Sequence, residues 1–398
     1  MRLTLAPTVR IATGDWLIAT GIAGAWLACA LLAGGYFRAT TVPLAALAIS
    51  ALALVGSVRR LRRPSVVVLA LLFLATWTAA SGLWGPADSL SVASLPILYA
   101  ATLWLAEQGD GRASLHALRI AILMITGLAL AARALTLAPM AGGSSTRLEW
   151  PVTYANGLGL IAATGVLLWA GLPTGRVYLG RAAIAVCLTT TCLTFSRSAI
   201  IGLAAALLLL LAGRRRLSRR ATVTAVVAAL LSCAILGPAL WARFAAPAPD
   251  ARDVRRVADI SGHGRAQLWQ AAWRDGLAHP LVGSGAGSFE ARHGTAAAHS
   301  LELQTFAELG VVGVTALTLF FAGALAITRR HSTAVSVFAL WMIVSAVDWD
   351  WQLPAATLPA IIVVAAGIRR PSRSLRSRHL QPHTVGRPQL STAFPAKR

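Results

Sequence analysis

Residues 59–84 read RRLRRPSVVVLALLFLATWTAASGLW. Four arginines crowd into five positions, and no charge follows from residue 65 to residue 84. About 20 consecutive apolar residues is the length a helix needs to cross a hydrocarbon core. A basic cluster at one end marks the cytoplasmic side of such a span. The pattern recurs along all 398 residues, of which 57% are hydrophobic and only 13% charged, with a mean hydropathy of +0.67. Soluble domains carry nearer ~25% charged residues. The fold class predicted is therefore all-α: a polytopic membrane protein.

Working outward from that stretch, about twelve spans are predicted. They run over 14–36, 40–58, 65–84, 90–106, 115–138, 153–171, 180–196, 198–213, 221–241, 299–327, 333–349 and 354–368. The organisation follows: N-terminal transmembrane helices over 1–241, an external loop over 242–298, C-terminal transmembrane helices over 299–368, and a basic tail over 369–398. The tail is rich in Arg, Ser and Pro without apolar periodicity, the composition of a disordered cytoplasmic segment.

The formal charge of +22 invites a nucleic-acid partner. Its distribution removes that need. With both termini in the cytoplasm, almost the whole positive excess falls on cytoplasmic segments, facing the anionic inner leaflet. These hold Arg2 and Arg10, the 59–63 cluster, Arg112, Arg176, Arg181, the Arg214–Arg220 cluster, Arg329, Arg330 and the tail. Cys29, Cys187, Cys192 and Cys233 all lie inside apolar stretches, with no metal-ligand spacing and no implied disulfide. No cofactor and no metal site is expected, and no cleaved signal peptide is read at the N-terminus.

Several polar residues stand out against this background. In the long loop, Arg265–Leu277 reads as a helix, with Ser261 and Gly262 before it as caps, and Trp269 and Trp273 suited to a membrane interface. The run Gly283-x-Gly285-x-Gly287 allows a sharp turn or close approach to an anion, and a plain loop explains it equally. His299 stands at the mouth of the next span. Gln304 and Glu308 share one helix face there, and His299, Glu302 and Phe306 another. Ionisable groups at membrane depth usually face a functional interior, although a helix–helix hydrogen bond would also account for Glu308. Arg197 falls between two spans that leave almost no turn, at the outer face, where snorkelling is the plain alternative. Asp348 and Asp350 end span eleven on the outer side. An Asp-x-Asp pair can hold a metal beside a nucleotide sugar, but such sugars are cytosolic and this pair faces out.

In order along residues 150–315 come Tyr154-Ala155-Asn156-Gly157, Thr194-Phe195-Ser196-Arg197-Ser198-Ala199, Arg265-x-x-x-Trp269-x-x-Ala272, Pro280-Leu281-Val282-Gly283-x-Gly285-x-Gly287-x-Phe289, and His299-Ser300-x-x-Leu303-Gln304-x-x-x-Glu308-Leu309-Gly310-x-x-Gly313. This ordered set resembles the O-antigen ligase superfamily of ligases, polysaccharide polymerases and protein oligosaccharyltransferases. Ser300 departs from the Asn that many members carry after the histidine. The resemblance implies a GT-C-like fold and a metal-independent, inverting glycosyltransferase of the envelope, in the plasma (inner) membrane. The donor would be an undecaprenyl-diphosphate-linked glycan. The acceptor would be a glycolipid, polysaccharide or protein. Arg197 and Arg265 would hold the diphosphate, and His299 would act as the catalytic base. Tyr154, Asn156, Glu308, Asp348 and Asp350 are candidate pocket residues. A transporter or flippase, with Arg119 and Glu308 as its midplane charges, and a non-catalytic scaffold are the other readings of a dozen spans.

Overall fold

The computed structural model describes residues 13–36, 38–86, 89–135, 147–215, 262, 264–295 and 297–368. The predicted span at 221–241, most of the first half of the external loop, the basic tail, Ser261 and Cys233 lie outside the described residues. Every regular element among those described is helical: α1 Thr13–Leu31, α2 Arg38–Val58, α3 Val66–Ala80, α4 Ser89–Gln108, α5 Gly111–Ala134, α6 Ala155–Gly171, α7 Val177–Leu193, α8 Arg197–Arg215, α9 Arg265–Ala278, α10 Ser288–His293, α11 Leu301–Thr328, α12 Ser332–Ser345 and α13 Pro354–Ala366.

Among the described residues, six stretches are long and apolar enough to cross a membrane: Thr13–Leu31, Ala39–Val58, Val66–Leu83, Ser89–Gln108, Gly111–Ala134 and Leu301–Thr328. All six coincide with predicted spans. Five shorter apolar helices, Ala155–Gly171, Val177–Leu193, Arg197–Gly213, Ser332–Ser345 and Pro354–Ala366, fall where further spans are expected. A 17-residue helix is only about 25 Å long, against a hydrocarbon core of about 30 Å. Two of the short helices have a reason to be short. Helix α6 is buried at every position from Ala155 to Trp169, and α13 at every position from Pro354 to Ala365. A helix apolar all round belongs in the interior, where protein rather than lipid sets the length. Helix α6 packs against α5, α7, α8 and α12, and α13 against α4, α5 and α12. The Trp26 indole N–H, donating to the Ala355 carbonyl at 2.9 Å, ties α1 to α13.

The arginine-rich connection from α2 to α3 also has an internal role. The Arg62 amide donates to Gln108 Oε1 at 2.9 Å. Ser65 caps α3 by accepting from the Val68 amide, and its hydroxyl donates to Glu107 at 2.5 Å. The cluster therefore seats the end of α4 as well as carrying charge. Cys29 and Cys187 are buried free thiols, and Cys192 is an exposed one.

Helix α11 breaks at Gly310, whose φ of 64° and ψ of −163° lie outside the helical region. The loop after α9 fills the break. The Val311 amide donates to the Pro280 carbonyl at 2.8 Å and the Val312 amide to Leu281 at 3.3 Å, while the carbonyls of Ala307 and Glu308 accept from Ser284 and Gly285. The Leu309 carbonyl accepts from the Trp77 indole of α3 at 3.0 Å, so groups freed by the break are answered by the loop and by α3, as a buried helix interruption requires. The glycine run thus serves chain crossing. A Cβ on Gly85 would lie 2.5 Å from the Gly285 Cα, so these two backbones touch directly.

Candidate functional site

Two short interior helices begin side by side. Leu353, just before α13, packs against Gly157 in the first turn of α6. Each helix N-terminus carries partial positive charge, and the residues immediately before the two helices supply the polar groups. Tyr154 precedes α6 and Asn156 lies in its first turn; Asp348 and Asp350 lie between α12 and α13.

Asp348 is the centre. Its side chain is fully buried and accepts five hydrogen bonds. At Oδ1 these come from the Tyr154 hydroxyl (2.6 Å), His299 Nδ1 (3.2 Å) and the Trp349 amide (2.9 Å). At Oδ2 they come from Asn156 Nδ2 (2.5 Å) and Arg265 Nη2 (3.1 Å). Burial by itself raises a carboxyl's pKa. Here the His299 hydrogen bond, the Arg265 charge and the Tyr154 hydroxyl outweigh it and hold Asp348 at about 2. Asp350 goes the other way: burial and the neighbouring Asp348 charge push its pKa well above the ordinary carboxyl value. Both Asp350 oxygens are buried without a hydrogen-bond partner, as a neutral acid tolerates far better than a carboxylate. The two carboxyls are thus pushed in opposite directions, the outcome expected when like charges share a dry site. The five bonds to Asp348 leave its oxygens engaged by protein donors, which disfavours the alternative of an Asp-x-Asp metal pair.

His299 is held from several directions. Its backbone is left-handed, with φ of 55°, a strained state for a non-glycine residue that persists only when surroundings enforce it. The Trp269 indole donates to the His299 carbonyl at 3.1 Å, and the preceding Ala298 amide donates to Gln304 Oε1 at 2.9 Å. Ser300 caps α11 by accepting from the Leu303 amide. Asn and Ser cap helices about equally well, so the departure at 300 keeps the function that position performs. With the Nδ1 proton on Asp348, His299 Nε2 presents a lone pair on the far edge of the ring. Thr153 and Phe195 also carry positive φ, 64° and 48°, so strained backbone flanks Tyr154 and Arg197 as well.

Arg265 opens α9 behind Gly264, whose φ of 83° turns the chain into the helix without a side-chain cap. It commits Nη2 to Asp348 while its buried Nε has no partner. The small face of α9, including Ala272 and Gly276, lets it lie close to α11, with Phe306 against Gly276. Trp273 stacks on Phe306 at 5.3 Å and remains 51% exposed, consistent with the interfacial position expected for it.

Of the predicted residues, the fold joins Tyr154, Asn156, Arg265, His299 and Asp348 directly. Arg197 opens α8 and is linked through a residue that the sequence reading passed over. Arg147 donates Nε to the Thr194 carbonyl at 2.8 Å and Nη2 to Asn156 Oδ1 at 2.5 Å. It bridges the Thr194–Ser196 turn that launches Arg197 to the Asp348 cluster. Its only signal in the sequence was its place among the few basic residues outside. Glu308 lies apart from the cluster. It accepts from the Phe289 amide and from Gln304, both at 3.2 Å, and so pins the glycine loop. Arg119 is likewise structural: it lies 4.4 Å over the Trp169 ring, near the C-terminal end of α6 and away from the cluster at that helix's start. The two midplane charges that a transporter reading needs thus both have local partners.

Residues 182–318 match the family model described as O-Antigen ligase. The match covers roughly a third of the chain and contains Arg197, Arg265, His299 and Glu308. Tyr154, Asn156, Asp348 and Asp350 lie outside it. No curated protein matches the chain.

Proposed function

We propose that this chain, whose residues 182–318 match the O-antigen ligase family model, is an O-antigen ligase-like enzyme that transfers a glycan from an undecaprenyl-diphosphate donor to an acceptor hydroxyl at the outer face of the plasma membrane. The observation that carries the reading is the Asp348 carboxylate, which holds His299 through Nδ1 and Arg265 through Nη2 at once. A proton acceptor and a phosphate-binding cation are thereby fixed to one atom group. The acceptor oxygen attacks the anomeric carbon while its proton passes to His299 Nε2. The bond from that carbon to the diphosphate oxygen breaks, and the electron pair leaves with the lipid diphosphate. Negative charge grows on the leaving group, where a preorganised guanidinium is most effective. The Arg265 and Arg197 guanidiniums serve there. The imidazolium formed is neutralised by Asp348, which acts as a positioning residue. No step requires a metal, and attack opposite the leaving diphosphate inverts the anomeric centre.

The accompanying topology has twelve crossings with both termini cytoplasmic. It is supported by the placement of eleven apolar helices at predicted spans and by the basic clusters on one side. Ligase and polymerase differ in the acceptor, and the site described serves either. The test is transfer by the purified protein in nanodiscs, supplied with undecaprenyl-diphosphate glycan and candidate acceptors. His299→Ala and Arg265→Ala are expected to lower transfer by about 10²–10⁴ with normal membrane insertion. Full transfer by both variants, or flipping of the lipid-linked glycan without transfer by the wild type, would overturn the reading.

A further inference from the structure

A groove of about 360 Å³ runs between α1 and α2, with α4 as its floor. The two walls both pack on α4 yet scarcely touch one another. Their facing sides are small, with Gly21 and Ala25 on α1 and Ala48 and Ala51 on α2. A Cβ on Gly21 would meet nothing within 4 Å. Leu17, Leu47 and Leu54 on the lining are 55–69% exposed, so the groove opens toward lipid. It extends along α1 from Leu17 to Cys29, about 18 Å at the helical rise. That is a little more than half of a hydrocarbon core about 30 Å thick, the depth of one leaflet. An empty groove would forfeit the dispersion contacts of its lining, so an apolar chain is its natural filling.

The two ends of the groove differ in charge, and the difference names the occupant. Beyond Leu17, Leu54 and Leu105, Arg59 Nη1 lies 3.8 Å from Asp15 and Nη2 donates to the Gln108 carbonyl. The 59–63 cluster therefore stands over that end. Arg62 is committed to the Glu107 carbonyl, whereas the exposed Arg60 and Arg63 side chains make no bond among the described residues. Against its four arginines this end sets two carboxylates, Asp15 and Glu107, so positive charge is in excess. Asp110 and Arg112, just beyond, offset each other. The other end stops at Cys29 and Leu44, against Gly35 and close to Pro354, with no charged side chain on the lining. We propose that the groove is a site for one anionic glycerophospholipid of the bilayer, with an acyl chain between α1 and α2 and its phosphate at Arg60 and Arg63. Arginines beside a span attract anionic headgroups, and a guanidinium holds phosphate oxygens in pairs. A polyprenyl donor is the wrong occupant. Its diphosphate would lie with Asp348, and the 348–354 connection meets the opposite end of the groove, at Pro354. Such a lipid site stands whether or not the chain transfers glycan, and whichever side of the membrane the arginines face.

The test is native mass spectrometry of the full chain released from nanodiscs that hold phosphatidylglycerol and phosphatidylcholine in equal amounts. One phosphatidylglycerol should be retained in preference to phosphatidylcholine. Gly21→Leu places a side chain in the groove and should abolish that retention. Gly24→Leu should not, because Gly24 has equally open space around it but lies off the groove lining. Replacing Arg60 and Arg63 together by Gln removes the two free guanidiniums and should weaken retention about 30-fold. Both side chains are exposed, so this variant should fold as the wild type does and decides the matter even where Gly21→Leu does not fold. Equal retention of the two lipids would show an ordinary bilayer lipid in the groove. Displacement of phosphatidylglycerol by one equivalent of undecaprenyl phosphate would show the polyprenyl carrier there. Either result overturns the proposal, and so does unchanged retention by folded Gly21→Leu or by the arginine double variant.

Discussion

Replacing Asp348 by Asn tests the centre of the site with almost no change in shape. The carboxylate accepts three bonds at one oxygen and two at the other. An amide has one acceptor. With its oxygen facing Tyr154, His299 and Trp349, its nitrogen meets the Asn156 and Arg265 donors head on. The fold holds the Asp348 pKa below the ordinary carboxyl value through His299, Arg265 and Tyr154, so it favours the charged form, and buried donors left without that acceptor would cost about 1–3 kcal/mol. Because the pKa is depressed, this stabilisation is present above pH ~4 and is lost as pH falls toward about 2. Acidifying the wild type should therefore lower its thermal midpoint over that window, and Asp348→Asn should lack that component. A loss of about 1–3 kcal/mol leaves a protein of ordinary stability folded. The effect on transfer should be larger, about 10²–10⁴ in kcat, because His299 loses both its tautomer and the partner of its charged form. Transfer within about threefold of wild type, with the acid-dependent component intact, would refute the positioning role.

Arg147→Ala removes the bonds to Asn156 and Thr194 and should lower kcat about 30- to 100-fold, from about 2–3 kcal/mol of charge-assisted bonding. Arg147→Lys should recover little, since an ammonium cannot span both acceptors; steady-state transfer kinetics decide both. Gly310→Ala puts a Cβ against the Leu281 carbonyl at a φ of 64° and should cost more than ~2 kcal/mol. It would be seen as lost monodispersity beside a neutral Gly127→Ala control, where nothing lies within 4 Å. Ser300→Ala should lower stability by about 1 kcal/mol through the lost cap, and Ser300→Asn should not; thermal unfolding in nanodiscs distinguishes them.

Much of this was legible because hydrophobicity is a local property. The 65–84 stretch declares itself without reference to the rest of the chain, and so do the six long apolar helices. The five short helices were harder. Their span assignment assumed contact with lipid, whereas α6 and α13 are surrounded by protein. The Arg265 helix showed in its own periodicity. The role of the glycine run did not, because its partners are the Gly310 break and Gly85, distant in sequence. Arg147 was missed for the same reason: nothing local distinguishes an arginine bonded to Asn156 and Thr194 from one bonded to water.

The 346–353 connection joins residues outside the matched region to residues inside it. On one side it presents the Asp348 carboxylate to the Arg265 guanidinium and the His299 imidazole. On the other it presents Trp351 to a cavity lined by Glu290 and Glu308. The strained backbone at Thr153, Phe195 and His299 flanks the Asp348 side of the connection, and such strain persists only where the surrounding structure enforces it.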